Sequence, residues 1–263
     1  MMTPSSLSSD LRRTARALLR HPGFTAAAVL TLALGLGATT AIFGVVYGVL
    51  LKPLPYPDAH ELVSLRHTAP GFAANFGGTP DDAFGLGESM YVTYREENRV
   101  FEHVALFNNS ERTLTGLGEP EQLRVLAVAD GTLQALRVQP ALGRGFSDAE
   151  YTLGAAEGSD PVIVSYAFWQ RRLGGEESAL GRAFSLDTRP VQVVGIMPPG
   201  FDVHDEKVEL WLPLTIDPAN LPGRGGHFLY LVGRLKPHLT VEQARVQLET
   251  LLRQWNEIAP KSH

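Results

Sequence analysis

The sequence predicts an α+β extracytoplasmic domain of two subdomains, carried on a single N-terminal transmembrane helix. The helix is predicted because residues 24–51 contain no Asp, Glu, Lys or Arg. A helix of about 28 residues is about 42 Å long, which exceeds the hydrocarbon thickness of a bilayer, about 30 Å. The mixed domain is predicted because the remaining residues combine strand-like and helix-like apolar patterns.

Positive charge lies mainly on the N-terminal side of this apolar stretch. Arg12, Arg13, Arg16 and Arg20 precede it, whereas Lys52 alone follows closely behind it. Lys and Arg near the ends of a span mark its cytoplasmic side, so we expect a cytoplasmic N-terminus and an exported domain. A cleaved signal peptide is the rival interpretation. Its apolar region is only about 7–15 residues long, so an uncleaved anchor is favoured.

Residues 1–22 are interpreted as a cytoplasmic, basic and amphipathic segment. Leu11, Ala15, Leu18 and Leu19 recur at helical spacing, and the arginines occupy the remaining surface. Such a segment can lie in the membrane interface and bind anionic lipid head groups, so the arginines are candidates for topology and lipid contact. A flexible charged tail explains the same pattern, and both interpretations stay open.

The transmembrane helix and its stalk are assigned to residues 23–51. Small residues form a stripe along it and are the candidate helix-packing positions: Ala33, Gly37, Ala41, Gly44 and Gly48. Small residues let helix backbones approach closely in lipid, where no hydrophobic force drives association. A helix packed against partners is therefore favoured over a solitary anchor.

Residues 52–57 read Lys-Pro-Leu-Pro-Tyr-Pro. Alternating prolines cannot continue a helix and favour an extended, fairly stiff connection. Because the apolar helix is longer than a bilayer needs, its last turns are expected to project outward as a stalk. Such a link can transmit force as well as tether a domain.

The exported part, residues 52–263, shows two runs of mixed signals. The first predicts strands over 61–66, 104–107, 113–117 and 122–128, a helix from Ser89 to about Arg99, and a short helix from Asp130. The helix at Ser89 is expected to be capped by that serine and to bury Tyr91, Tyr94 and Phe101.

The second run predicts strands over 161–165, 184–186, 191–196 and 228–235, with a short helix over 166–173. Thr240 and Gln243 match a capping box that opens a last helix, whose apolar residues from Val241 to Ile258 lie on one side.

Composition and motifs exclude several function classes. The net charge is -5 and the basic residues concentrate before the span, so a nucleic-acid partner is disfavoured. The absence of cysteine excludes disulfides and thiolate metal sites. The sequence has no P-loop motif. His204, Asp205 and Glu206 are read as a solvated acidic loop, and Asp148 with Glu150 lacks a partner for acid–base work. We expect no enzyme activity, no metal site and no cofactor.

Four segments carry a family resemblance in order along the chain: "HPGFTAAAVLTLALGLGATTAIFGVVYGVLLKPLPYPD", "SMYVTYREENRVFEHVALF", "PVIVSYAFWQRRLGGEESALGRAFSLDTRPVQVVGIMPPGFDV" with "ELWLPL", and "RLKPHLTVEQARVQLETL". Together they resemble the N-terminal part of a MacB/FtsX-type ABC transporter permease, namely its first transmembrane helix and its MacB-like periplasmic core domain. The likeness is to the duplicated permeases of acidobacterial type.

The resemblance implies a first subdomain formed by residues 58–137 and 222–258, with a second, residues 138–221, inserted into it. It also implies a bacterial inner (plasma) membrane protein that couples ATP hydrolysis by a separate ATPase subunit to motion of the periplasmic domain, for export or efflux. ATP would be bound only by that subunit. The implied partners are the ATPase, the remaining permease helices or a homodimer partner, membrane lipid and a periplasmic adaptor.

In this family further transmembrane helices follow the periplasmic domain, so we expect the chain to be either an N-terminal fragment or a short form. The alternative function is a stand-alone, membrane-anchored periplasmic binding or adaptor protein. An anchored enzyme has no support in the sequence.

Overall fold

The computed structural model describes residues 16, 18–47, 56–69, 73, 77–79, 81–152, 159–203, 207–217, 221 and 226–258, with side chains up to residue 254. The chain divides into two compact units, residues 1–54 and 55–263, and each is described on its own. The predicted fold class is confirmed, because a mixed α/β domain follows one N-terminal apolar helix.

The first unit is built on helix α1, Pro22–Val46, which is long and apolar enough to cross a membrane. Pro22 stands in its first turn, where a missing N–H leaves no hydrogen bond unmade. No residue of α1 is buried within the structure. A helix that is apolar on every side needs lipid or other helices around it. The predicted apolar helix is therefore confirmed, and residues 48–51 of the predicted stretch lie outside the described residues.

The second unit is a sheet domain with helices against it. Its strands are β1 Leu62–Leu65, β2 His67–Thr68, β3 Ala83–Phe84, β4 Phe101–Thr115, β5 Glu121–Val128, β6 Leu142–Gly143, β7 Asp160–Val164, β8 Ala183–Leu186, β9 Arg189–Ile196, β10 Leu210–Pro213 and β11 Tyr230–Leu235. Its helices are α2 Glu88–Glu97, α3 Thr132–Ala135, α4 Asp148–Thr152, α5 Tyr166–Arg172 and α6 Val241–Ile258, with short 3-10 turns at Ala59–Glu61 and Glu177–Ala179.

The large sheet has the strand order β1-β11-β4-β5-β10-β7-β9-β6, and β8 pairs with both β4 and β9. The strands β4, β5, β10, β7, β9 and β8 therefore form a closed ring. Only the β5–β10 and β7–β9 pairs of this sheet are parallel. Closure of a sheet on itself leaves the ring without a free edge.

Three hydrophobic clusters fill the spaces around the sheet. The first lies among β1, β4, β11, α2 and α6 and includes Tyr91, Leu106 and Leu251. The second receives side chains from all strands of the ring and from α5, including Phe168. The third contains Trp211 and Leu133, together with residues of β4, β5, β7, β10, β11, α3 and the segment after β9. Tyr56 and Leu62 pack against this third cluster.

The proposed subdomain boundaries stay a prediction. The far half of the β4–β5 hairpin, including Leu114 and Leu123, packs with the ring cluster formed by the predicted inserted segment. The near half packs with the first and third clusters. One hairpin therefore contributes to the cores on both sides of the predicted boundary.

Three local predictions were wrong. Ser89 does not cap α2, because the helix starts at Glu88 with Gly87 in the cap position. A Cβ at Gly87 would lie 2.7 Å from the carbonyl oxygen of Gly226, so close backbone approach requires glycine there. Phe101 begins β4 and does not lie on the buried side of α2. The separate strands predicted at 104–107 and 113–117 are one strand.

The capping box of the last helix is confirmed. The backbone N–H of Thr240 donates to the Gln243 side chain at 2.8 Å, and the N–H of Gln243 donates to the Thr240 hydroxyl at 3.3 Å. The reciprocal bonds satisfy two donors that a helix N-terminus otherwise leaves unpaired. Ser165 caps α5 in a similar way by accepting from the N–H of Phe168.

Candidate functional site: an arginine clamp on the leading segment

Residues 56–61 lead the described chain into the second unit, and we call them the leading segment. They form a turn followed by the 3-10 turn at Ala59–Glu61. Asp58 adopts a left-handed backbone conformation with φ of 48°. A residue other than glycine rarely adopts this conformation unless surrounding contacts hold it there. The contacts of the segment are therefore informative.

Arg234 of β11 holds the leading segment from inside the domain. Its side chain is fully buried. Its guanidinium donates to the carbonyl oxygens of Pro57 at 3.0 Å and Asp58 at 3.1 Å, and to the Glu61 carboxylate at 3.0 Å. Its Nε donates to the carbonyl oxygen of Ala135 in α3. One buried side chain thus joins β11, α3 and the leading segment.

A buried arginine in a strand needs several partners, because removing a charge from water costs several kcal/mol. The sequence of β11 places Tyr230, Val232 and Arg234 on the same face of the sheet. Val232 belongs to the third hydrophobic cluster, so Arg234 stands where an apolar side chain is normal. Three carbonyl oxygens and one carboxylate offset its desolvation.

Arg137, just after α3, holds the leading segment from outside. It forms ion pairs with Asp58, with Glu61 at 3.3 Å and with Glu102 at 3.3 Å. Desolvation opposes its charge, but the bond to Glu102 and the charges of Glu61 and Asp58 outweigh it and raise the pKa of Arg137. Arg137 also has a left-handed φ of 51°. Glu61 therefore sits between two arginines.

Tyr56 ties the start of the leading segment to the region after β9. Its hydroxyl donates to the carbonyl oxygen of Asp202 at 2.8 Å. Its ring meets that of Phe201 edge to face, with centroids 6.1 Å apart. Phe201 in turn lies 5.8 Å from the ring of the buried Trp211 in β10. The tyrosine thus connects the leading segment to the ring of strands.

We call Arg137 and Arg234, with Tyr56, Asp58 and Glu61, the arginine clamp. It fixes the leading segment to β11, to α3 and to the segment after β9 at once. A buried, hydrogen-bonded network resists rearrangement, because any broken bond leaves a desolvated polar group. Displacement of the leading segment must therefore move these elements with it or break buried bonds.

The candidate packing stripe lies on α1. Ala33, Gly37, Ala41 and Gly44 are exposed and share one helix face by their spacing. Apart from the chain neighbours and the nearby backbone of α1 itself, no described atom lies within 4 Å of a Cβ placed on Gly37 or Gly44. Gly48 lies outside the described residues. The stripe is present and uncovered, and its packing role stays a prediction.

The candidate lipid-contact arginines are only partly described. Arg16 and Arg20 are helical and exposed, whereas Arg12 and Arg13 lie outside the described residues. Thr25 in α1 donates from its hydroxyl to the carbonyl oxygen of Leu18 at 2.7 Å, which links the basic segment to the start of the helix. The role of these arginines in lipid contact and topology stays a prediction.

Of the polar groups considered for catalysis or metal binding, the structure describes Asp148 and Glu150. Glu150 forms a two-bond ion pair with Arg144, each bond 2.8 Å long. Hydrogen bonding from Arg144 lowers the pKa of Glu150. The described residues contain no group of three or more potential metal ligands. Residues 204–206, read from the sequence as an acidic loop, lie outside them.

Sequence reasoning missed the arginine clamp entirely. Its one visible signal is Arg234 itself, a charged residue within the apolar strand sequence YLVGRL. An arginine at a core-facing position of a strand indicates a buried network. Its partners at 57, 58, 61 and 135 are far away in sequence, so the sequence does not reveal them.

The chain resembles known proteins in sequence and in fold. A family model described as the MacB-like periplasmic core domain matches residues 25–251. The periplasmic region of MacB from Actinobacillus actinomycetemcomitans has a TM-score of 0.51 at 14% identity, covering 66% of this chain and 76% of that chain. A domain of a protein described as a permease, from Porphyromonas gingivalis, has a TM-score of 0.54 at 16% identity, covering 76% of this chain and 84% of that chain. At these identities the likeness is one of fold. Among curated proteins none matches.

Proposed function

This chain belongs to the family of MacB-like periplasmic core domains, and we propose that it couples a separate ATPase to motion of an exported domain. Membership supports an assignment to the periplasmic-domain part of an ABC-type transporter. The finer proposal is that ATP hydrolysis by the partner subunit moves α1, and that the motion reaches the exported domain for export or efflux.

The observation that carries this proposal is the arginine clamp. The segment through which motion must enter the domain is bonded to three separate parts of it by Arg234, Arg137 and Tyr56. A flexible tether needs no such bonds, because a loose connection suffices to keep a domain near a membrane. A clamped segment instead turns a displacement of the chain into a displacement of the sheet.

The proposal places the N-terminus in the cytoplasm and the second unit in the periplasm, anchored to the bacterial inner membrane. The basic residues before α1, such as Arg16 and Arg20, support this orientation. A phosphatase fused after Pro57 is expected to be active in intact cells. A fusion that is inactive there, yet stably produced, would reverse the orientation.

The stripe of small residues on α1 supports the proposal that this helix packs against partner helices. Because lipid supplies no hydrophobic force between helices, an exposed row of small residues favours close packing against another helix. We propose that Ala33, Gly37, Ala41 and Gly44 pack against the remaining permease helices or against a second copy. Substituting Gly37 and Gly44 by Leu should reduce recovery of those partners without unfolding the exported domain.

Purification from native membranes tests the coupling. The tagged full chain is purified in mild detergent, and co-purifying proteins are identified by mass spectrometry. An ABC ATPase and polytopic permease segments are expected. Recovery of a periplasmic protein without any ATPase would instead support the anchored adaptor function.

A labelling experiment on the purified complex tests the motion. The chain has no cysteine, so His60→Cys introduces a single reactive thiol into the leading segment. Its reaction rate with a maleimide is expected to differ between the ADP state and the vanadate-trapped state. Ser178→Cys, at an exposed site far along the sequence in the ring region, provides the matched control. The coupling would be contradicted if the reaction rate at each site were the same in the ADP state and in the vanadate-trapped state.

A further inference from the structure

A large cavity lies beside the arginine clamp, on the chain that runs from α3 to α4. Its volume is about 630 Å³, within the roughly 300–1,000 Å³ of known small-molecule pockets. Among the residues that the structure describes, every lining residue comes from one continuous stretch, which starts at Leu133 and ends at Tyr151. The cavity is therefore shaped by local chain path and not by a gap between distant elements.

The charged side chains that line the cavity are both arginines, Arg137 and Arg144, among the described residues. The carboxylates that pair with them, such as Asp58 and Glu150, do not line it. A guanidinium carries five N–H donors. Arg144 donates to Glu150 and to the carbonyl oxygen of Gly145, so donors remain available for a ligand.

Part of the remaining cavity wall is apolar, and the glutamines Gln134 and Gln139 add polar surface. Leu133, Val138 and Pro140 contribute aliphatic surface. Phe146 and Tyr151 meet edge to face with ring centroids 5.7 Å apart and form an aromatic corner. Burial raises the pKa of Tyr151, so its hydroxyl stays neutral at ordinary pH. An aromatic corner beside two guanidinium groups fits a ligand that has one anionic group and an apolar chain. The anionic group must compete with the carboxylates that already pair with Arg137 and Arg144.

We propose that this cavity binds a small amphipathic anion, with a carboxylate or phosphate at Arg144 and Arg137 and an apolar chain against the aromatic corner. Guanidinium groups bind both carboxylate and phosphate through paired hydrogen bonds. The class of ligand is therefore defined by its negative charge and not by the exact head group. The anion of a membrane lipid and a free amphiphile share this chemistry.

Binding there would also act on the arginine clamp, and this part rests on the proposed function. Arg137 lines the cavity and at the same time pairs with Asp58 and Glu61 of the leading segment. An anion that recruits Arg137 competes with those carboxylates. Because coupling between sites is reciprocal, a displaced leading segment would in turn change the affinity for the ligand.

The test uses the full chain in nanodiscs of zwitterionic lipid, with heats of binding corrected by empty nanodiscs. Octanoate and octyl phosphate are compared with octanol and octyltrimethylammonium, which keep the chain length and change the charge. The anions are expected to bind at least tenfold more tightly than octanol, and the cation not at all. Equal affinity for octanoate and octanol would overturn the proposal.

Two variants locate the site. Arg144→Gln should weaken octanoate binding at least tenfold, whereas Arg112→Gln, which removes an exposed arginine paired with Asp187, should leave it unchanged. Gly145→Val should weaken the binding of all ligands, because the added side chain would occupy part of the cavity. A Cβ at Gly145 lies 3.8 Å from Leu133, so the substitution causes no clash there. Unfolding temperatures confirm that each variant is folded. Unchanged binding in both cavity variants would also overturn the proposal.

Two further comparisons distinguish a membrane lipid from a free ligand and separate ligand binding from the proposed ATPase coupling. If membrane lipid is the natural ligand, nanodiscs of anionic lipid should reduce octanoate affinity, whereas a free ligand predicts no change beyond that of empty discs. The binding assay contains no ATPase, so its failure leaves the ATPase coupling intact. Failure to recover an ATPase leaves the binding result intact.

Discussion

The arginine clamp and the arginine network on the ring of strands use the same residue types in different surroundings. On the ring, Arg171 pairs with Glu121 and Glu209, and 46% of its side chain is exposed. In the clamp, Arg234 has no exposed side-chain surface and bonds to one carboxylate and three carbonyl oxygens. The Arg171 network is solvated, whereas Arg234 at the centre of the clamp is part of the core.

The difference in burial decides how much each ion pair contributes to the stability of the fold. Exposed pairs contribute about 0–1 kcal/mol, because water and salt screen them and the side chains lose freedom. Loss of one partner from a buried pair costs roughly 3–5 kcal/mol, because the remaining charge stays desolvated. The clamp should therefore fix the leading segment, whereas the Arg171 network on the surface of the ring should contribute little to stability.

The largest expected effect breaks the clamp at its centre. Arg234→Met keeps a long side chain but removes the donor to three carbonyl oxygens and one of the two arginines that pair with Glu61. We expect a loss of roughly 3–5 kcal/mol in the free energy of unfolding. Guanidinium unfolding of the full chain in micelles, followed by tryptophan fluorescence, measures it. Arg245→Met, at an exposed arginine of α6, is the matched control, and similar losses in both would remove the distinction.

The second effect changes only the charge within the clamp. Glu61→Gln keeps a hydrogen-bond acceptor for Arg234 but removes the carboxylate shared by two arginines. A charged hydrogen bond contributes about 1.5–3 kcal/mol, so we expect a loss in that range. The same unfolding assay measures it, with Glu102→Gln as the comparison at an exposed partner of Arg137. A larger loss at Glu102 would show that the outer arginine dominates.

The third effect concerns the neutral contact of the clamp. Tyr56→Phe removes the hydroxyl that donates to the Asp202 carbonyl oxygen and keeps the ring against Phe201. A neutral hydrogen bond contributes about 0.5–1.5 kcal/mol, and we expect a loss of that size. Tyr47→Phe, at the residue that follows α1 and whose exposed ring stacks on Phe43, should not change the free energy of unfolding. No loss at Tyr56 would mean that the arginines alone hold the leading segment.

The smallest effect tests the ring network. Arg171→Gln should change the free energy of unfolding by about 1 kcal/mol or less. The difference from the unchanged chain should shrink further at about 1 M salt, where the screening length falls to about 3 Å. Denaturant titrations in urea at low and high salt measure this. A loss as large as that of Arg234→Met would show that exposure does not explain the comparison.

Much of the local structure follows from sequence patterns. The apolar run predicts α1, the Thr240–Gln243 pair predicts the start of α6, and the run at 161–165 predicts β7 within one residue. These features depend on neighbours within a few positions, which the sequence shows directly. The wrong cap at Ser89 has the opposite cause, because the backbone of Gly226 requires glycine at position 87.

The sequence by itself determined that an apolar helix precedes a mixed α/β domain, because hydrophobic period and charge asymmetry are properties of consecutive residues. Only the tertiary structure decided that β8 closes a ring of strands by pairing with β4 and β9. It alone also brought Arg234 to residues 57, 58 and 61, across more than half of the chain. Contacts at such separations depend on how the whole sheet packs, and no local pattern records them.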